Sequence, residues 1–323
     1  MPFTDLTLDE LIDYRPAVDE PADFDTFWQT TLAETRACGG APDVRRVATP
    51  LTAVTVDDVT FPGFAGDPIR AWLIRPAAPS GPLPVVVEFV GYGGGRGLPS
   101  EKLRWAACGY AHLVMDTRGQ GSNWGTGGET PDLHGAEASV PGVMTRGILD
   151  PGTYYYRRLF TDGVRLVDAV SQLDGLDPTR IAVTGGSQGG GISVAVAALS
   201  ADVKAVMPDV PYLAHFRRSV SMTPAAPYTE VARYLAVHRG VEEQVFRTLS
   251  YMDGVNFAAR ITAPALYSVG LMDEIVLPSS VYASYNALGS ADKEIAVYAF
   301  NGHEGGEGFH WERQAAWLAS RLG

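Results

Sequence analysis

The pentapeptide Gly185-Gly186-Ser187-Gln188-Gly189 is the strongest candidate for covalent chemistry in this chain. It directly follows the apolar run Ile181-Ala182-Val183, which reads as a buried strand, and opens a small-residue stretch over 188–200 that reads as a helix. A serine on so sharp a turn is pushed up from the sheet on strained backbone. Gly185 and Gly189 leave the room that a Cβ would fill on either side of it. The helix start beneath Ser187 offers free N–H groups and the positive end of a dipole. A hydroxyl is a poor nucleophile without a base, so an imidazole must reach it. Of the six histidines, His303 lies just past the β-rich run 295–300, in Asn301-Gly302-His303-Glu304-Gly305-Gly306. His112 reads as a core or surface residue, and His134 and His310 as loop or helix-start residues. His215 and His238 fall in a helical insert that could contact substrate. The imidazole in turn needs a carboxylate to fix its tautomer and stabilise its charge. Asp273, just past the run 264–269, is placed for that role, with Glu274 beside it as the alternative.

Acyl transfer also needs donors for the oxyanion. One is the backbone N–H of Gln188, the residue after the nucleophile. The other is expected from the loop after the apolar run 85–90, where Gly91-Tyr92-Gly93-Gly94-Gly95-Arg96-Gly97 has five glycines in seven residues. Tyr92 N–H is the natural donor there. Tyr92, Trp105 and Val276 are candidates for the wall of a small acyl pocket. A metal is not expected: His303-Glu304-Gly305-Gly306-Glu307 lacks the second histidine of a zinc helix. No cofactor is expected either, since the glycine motifs that cradle phosphates are absent.

These residues must be positioned by a scaffold. Residues 54–61 and 69–75 alternate and read as an antiparallel pair. Apolar runs at 85–90, 111–115, 181–183, 203–207, 264–269 and 295–300 then alternate with helical stretches at 100–108, 162–173, 188–200 and 278–288, followed by a last helix. Buried strands alternating with helices predict an α/β chain with a mainly parallel sheet and helices on both faces. Ligands then bind beyond the carboxyl ends of the strands. The chain order Ser187, Asp273, His303, each at a strand end, is the order of the α/β-hydrolase fold. One domain over 1–323 is expected. Residues 1–40 form a helical arm, 117–160 an extension with no clear element, and 209–260 a helical cap insert between late strands.

The composition, 46% hydrophobic and 19% charged over 323 residues, is that of a globular chain. A net charge of −12 disfavours nucleic acid and anionic membrane surfaces as partners. Cys38 and Cys108 are too few for a disulfide framework and read as reduced thiols. The acidic N-terminus lacks the pattern of a signal peptide, and no apolar stretch has membrane-spanning length, so a cytoplasmic location is expected.

Several of these motifs together resemble carbohydrate esterase family seven, the acetyl xylan esterases and cephalosporin C deacetylases. They are Gly91-Tyr92-x-Gly-Gly-Arg96-Gly97, Arg118-Gly119-Gln120-Gly121, the elbow around Ser187-Gln188, Gly270-Leu271-Met272-Asp273 and His303-Glu304. Gly147-Ile148-Leu149-Asp150 before Thr153-Tyr154-Tyr155-Tyr156-Arg157 resembles it too, and the likeness begins at Asp23-Phe24-Asp25-x-Phe27-Trp28. Val90 stands where many members have His. The resemblance implies a metal-free serine esterase that removes acetyl groups from xylo-oligosaccharides or an antibiotic ester such as cephalosporin C. It also implies a cytoplasmic homo-hexamer, with 117–160 at an interface between copies. Arg118, with Gln120 beside it, is read as structural near the nucleophile. An acyltransferase or peptidase using the same residues, and a non-catalytic ligand-binding hydrolase fold, are the rival readings.

Overall fold

The computed structural model describes residues 5–135 and 137–322. Among them lies one nine-stranded sheet: β1 (Asp43–Arg46), β2 (Val54–Pro62), β3 (Pro68–Pro76), β4 (Leu83–Phe89), β5 (Ala111–Met115), β6 (Leu176–Gly186), β7 (Val203–Asp209), β8 (Ala265–Gly270) and β9 (Lys293–Tyr298). The strand order is β1-β2-β3-β5-β4-β6-β7-β8-β9. β1, β2, β3 and β5 pair antiparallel; from β5 through β4 to β9 the pairing is parallel.

Side-chain alternation along the central strands divides the interior. Val85, Val87 and Phe89 of β4 enter the larger core, under helices Tyr155–Ala169 and Gln188–Leu199. Val86 between them joins Ala182, Met207, Leu266, Trp317 and Leu318 on the other face, under the last helix, Glu307–Leu322. Fully apolar runs are required because both faces are covered.

The N-terminal arm is anchored by its aromatics. Thr7 and Glu10 form the expected capping box on helix Leu8–Ile12. In helix Phe24–Ala37, Phe24 and Trp28 pack on Phe257, and Trp28 Nε1 donates to Tyr251 O at 3.0 Å. Residues 209–260 carry helices Phe216–Met222, Tyr228–Val237, Glu242–Ser250 and Gly254–Ala258. Cys38 and Cys108 are exposed free thiols. Among the described residues no helix is long and apolar enough to cross a membrane.

Two expectations need correction. The stretch 117–160 does hold an element, because helix Tyr155–Ala169 starts seven residues before 162. Its opening Tyr155-Tyr156 pair looks β-prone, yet both rings are buried and their hydroxyls bond Arg118 O and Gln188 Oε1. The stretch 100–108 is a single turn Pro99–Glu101 followed by a short helix Arg104–Ala107. β1 leaves no mark in the sequence, because all four of its residues are exposed and no apolar alternation runs through it.

Asp253 joins two helices of the insert. It is buried, and its carboxylate accepts the N–H groups of His215 and Phe216 at 2.8 and 3.0 Å and of Val255 at 2.9 Å. Burial outweighs these bonds and pushes its pKa up to about 6. The unfolded chain titrates this group near ~3.9. Between those values the native state keeps the proton and the unfolded chain does not. Asp253 therefore adds stability below about pH 4 that is lost as pH rises through 6. The stability difference between wild type and Asp253→Asn should move in the wild type's favour as pH falls from 6 to 4, by at most about 3 kcal/mol. A difference that stays flat in thermal melts over that range would contradict the assignment.

Candidate active site

β6 ends at Gly186, and helix Gln188–Leu199 begins two residues on, leaving Ser187 at φ 56°, ψ −116°. A non-glycine residue there is strained and must be held. Ser187 N–H donates to Asp209 O at 2.9 Å, and Ser187 O accepts from Gly191 and Tyr212 at 3.0 and 2.9 Å. The glycines do what the motif requires. A Cβ at Gly185 would lie 2.5 Å from Phe89 O, and one at Gly189 only 2.1 Å from it. The helix thereby sits directly on β4.

Ser187 lines a cavity of 620 Å³ together with Tyr92, Trp124, Glu230, Ile275 and His303. That volume suits a small ligand. Asp273 and His303 come from adjacent parallel strands, β8 and β9. Their loops are locked by close backbone packing, since a Cβ at Gly270 would lie 2.2 Å from Gly302 O, and Met272 N–H donates to Asn301 O at 3.0 Å. His303 Nδ1 is 2.8 Å from Asp273 Oδ2. A carboxylate only accepts, so Nδ1 carries the proton and Nε2 keeps the lone pair of the neutral ring. Asp273 is fully buried, and its Oδ1 accepts Ile275 and Val276 N–H, both at 2.8 Å. Glu274, the alternative, has no such role in these contacts.

Gln188 N–H lies in the first turn of its helix, where no intrahelical acceptor exists. The Gln188 side chain is buried. It accepts from Gln120 Nε2 at 2.9 Å and Tyr156 Oη at 3.0 Å, and donates to Val90 O at 3.2 Å. Gln120 Oε1 accepts Gly93 N–H at 2.5 Å. The two glutamines therefore tie the nucleophile turn to the glycine loop. Val90 itself is buried and serves through its carbonyl. Tyr92 O accepts Trp124 Nε1–H at 2.7 Å. Arg118 lies beneath this layer, fully buried among carboxylates.

Two pocket expectations are corrected. Trp105 does not line the Ser187 cavity. It is buried in the core on the other face of the sheet, edge-on to Tyr110 and Trp311. Val276 is buried as well, and its contribution is the N–H given to Asp273. Ile275 and Trp124 stand at the cavity instead. The signals for them were available: Ile275 is two residues past Asp273, and Trp124 is a lone aromatic in a glycine-rich loop. His215 and His238 do not line this cavity. His310 is closer to the chemistry than its sequence context suggests. Its Nε2 lies 2.7 Å from Asp209 Oδ1, although poorly aligned for a hydrogen bond, and Gln314 Nε2 donates to the same oxygen at 2.9 Å. Asp209 lines the cavity and holds Ser187 N–H through its carbonyl, so this largely buried cluster braces the Ser187 turn from behind. Among the described residues no group of three or more His, Cys, Asp and Glu is arranged to hold a metal ion.

A serine on a strained elbow and a carboxylate-oriented imidazole at one cavity form an arrangement that can serve acyl transfer. The family model for acetyl xylan esterase matches residues 1–321. The acetyl esterase Axe7A of Xylanibacter ruminicola is 28% identical over 302 residues, which cover 90% of this chain and 65% of that protein. The chain thus spans just under two thirds of that relative's length. Among solved structures, an acetyl xylan esterase from a Paenibacillus species superposes with a TM-score of 0.92 at 41% identity, covering 98% of this chain and all of that one. Acetyl xylan esterase 1 from a Thermoanaerobacterium species gives 0.90 at 32% identity, covering 98% and 99%. The fold is that of these α/β-hydrolase esterases.

Proposed function

The chain belongs to the acetyl xylan esterase family and is a carboxylic ester hydrolase, and from that premise we propose that it deacetylates small acetylated sugars through an acetyl-enzyme on Ser187. The observation that carries the mechanism is the 2.8 Å contact between His303 Nδ1 and Asp273 Oδ2, at the wall of the cavity that Ser187 lines. His303 Nε2 takes the Ser187 proton as Oγ attacks the acetyl carbonyl. The oxyanion is held by the N–H groups of Tyr92 and Gln188, each worth about 3 kcal/mol in the transition state. The C–O bond to the sugar breaks, and the alcohol leaves with the proton from His303. Water then repeats the sequence on the acetyl-enzyme and releases acetate. Asp273 holds the imidazole in the tautomer that this needs.

Xylo-oligosaccharide acetates and cephalosporin C are the substrates this reading favours. The family likeness supports the first, and the acetyl ester common to both supports the second. A cytoplasmic homo-hexamer, with residues 117–160 at its interface, belongs to the same reading and is supported by the family resemblance. Ile275 and Trp124 line the cavity, and in this reading they bound the acyl group and favour acetyl over longer chains. Acetate release should therefore be measured on acetylated xylo-oligosaccharides, cephalosporin C and matched butyryl esters. Acetyl substrates should turn over at least ~10-fold faster, since extra methylenes in a tight pocket are rejected by about that factor. No acetate from any acetylated sugar, or a fluorophosphonate that labels a residue other than Ser187, would overturn the proposal.

A further inference from the structure

Glu230 is a buried carboxylate that the mechanism above does not use. It sits in the first turn of helix Tyr228–Val237 and faces the Ser187 cavity. Its Oε1 accepts the Tyr92 hydroxyl proton at 2.7 Å, and its Oε2 accepts Met144 N–H at 3.1 Å. The Tyr92 hydroxyl in turn accepts Val143 N–H at 2.7 Å. One carboxylate and one phenol thus close a ring of hydrogen bonds with two successive peptide groups. The loop reaches them through Gly142, at φ 120°, where a Cβ would lie 2.2 Å from Glu230 Oε1. A side chain at that position would push the loop off the carboxylate.

Burial raises the titration of both groups, and the carboxylate beside the phenol raises Tyr92 further. The phenol therefore keeps its proton and is the donor in the shared bond. Tyr92 is held at its other end too, by Trp124 Nε1 on its carbonyl. A residue fixed at its hydroxyl and at its carbonyl has little freedom left for its own N–H. That N–H is the donor the oxyanion needs, and misplacement by ~1 Å costs on the order of 10²-fold in rate.

We propose that Glu230 is a positioning residue for the oxyanion hole: it clamps the Tyr92 ring to the peptide groups of Val143 and Met144 and so fixes where the Tyr92 backbone N–H sits. This rests on the reading of Tyr92 N–H as an oxyanion donor. Residues 140–146 then act on the reaction through Tyr92, without touching substrate.

The test is a double-mutant cycle with Glu230→Gln and Tyr92→Phe, read with p-nitrophenyl acetate and with 1,1,1-trifluoroacetone. That ketone adds to the Ser187 hydroxyl and places an oxyanion in the hole. Glu230→Gln keeps the shape but puts an amide N–H₂ against either Met144 N–H or the Tyr92 hydroxyl, so one bond is lost. Each single variant should lower kcat by roughly 10- to 100-fold. Trifluoroacetone inhibition should weaken in step, while KM stays within about twofold. The double variant should be no slower than Tyr92→Phe alone, because the two residues act as one unit. Additive losses, a raised KM at unchanged kcat, or unchanged kinetics in Tyr92→Phe would overturn it. Tyr92→Phe removes a single oxygen and keeps the test open if Glu230→Gln folds poorly. Ser187→Ala separates the two levels. Turnover retained there defeats the underlying mechanism, whereas a dead Ser187→Ala beside wild-type Glu230→Gln and Tyr92→Phe defeats only the role of Glu230.

Discussion

Ser187→Ala should lower kcat on p-nitrophenyl acetate by on the order of 10⁶-fold while leaving the melting temperature unchanged. The two halves of that result have separate physical grounds. On the proposed mechanism, loss of Oγ removes the atom that forms the acetyl-enzyme, and the proposed backbone donors cannot replace a nucleophile. Stability should hold because the Ser187 side chain makes no capping hydrogen bond to its helix, and alanine inherits the same φ of 56°. Ser187→Gly sharpens the point. It should be equally inactive yet more stable by about 1 kcal/mol, since glycine relieves the left-handed strain. Asp273→Ala should behave differently on both axes. Its rate loss should be smaller, on the order of 10⁴-fold, but it should also lower Tm, because Asp273 Oδ1 holds the N–H groups of Ile275 and Val276 in a buried turn. Steady-state kinetics and calorimetry on the three variants give the comparison. Substantial turnover in Ser187→Ala would sink the assignment of the nucleophile.

How far the sequence reveals this arrangement depends on where the signal is local. Strands β4 to β8 each carry an apolar run, because burial on both faces leaves little other composition, whereas the edge strand β9 begins Lys293-Glu294 and is only partly buried. The elbow is legible for the same reason: its glycines answer to contacts of about 2 Å with Phe89 O, which few other residues could survive. Asp273 and His303 are placed by being one or two turns past their strands. What stays hidden is long-range. Nothing around Glu230 indicates that its carboxylate will meet Tyr92, 138 residues away. Trp105 looks like a pocket residue because aromatics often are, but strand geometry sends its helix to the opposite face. Val276 and Ile275 differ by one position, and only the turn around Asp273 decides which side chain faces the cavity. The Tyr154-Tyr155-Tyr156 run misleads in the same way. Its β-prone rings open a helix because their hydroxyls find Met144 O, Arg118 O and Gln188 Oε1.

Arg118→Met should destabilise the protein by about 3–5 kcal/mol, the cost of leaving a buried charge without its partner. Arg118 is fully buried and binds Asp162 with both ends of its fork, Nε to Oδ2 at 2.5 Å and Nη2 to Oδ1 at 2.7 Å. Its remaining nitrogen reaches Asp67 at 3.0 Å and Asp132 at 3.5 Å. Burial works against the charge on Arg118, and the surrounding carboxylates of Asp162, Asp67 and Asp132 together more than offset it. Asp162 is itself pushed up by burial in spite of Arg118 and the Phe64 N–H it accepts at 2.8 Å. Without the guanidinium that buried carboxylate keeps the Phe64 N–H but loses its cation, whereas Asp132 still has Arg158. Lysine would keep the charge but not the fork, so Arg118→Lys should recover less than half of the loss. Arg118→Met combined with Asp162→Asn should cost less than the two changes added together, because the second removes the charge that the first strands. The consequence extends to the reaction. Arg118 O accepts the Tyr155 hydroxyl proton at 2.6 Å, and Gln120, two residues on, holds Gly93 N–H and the Gln188 side chain. Loosening the turn at Arg118 should therefore lower kcat at temperatures where the chain is still folded. Denaturant titration and kinetics at 25 °C measure both effects. An Arg118→Met variant with wild-type stability would show that the buried cluster tolerates an empty socket and that the turn is held by backbone alone.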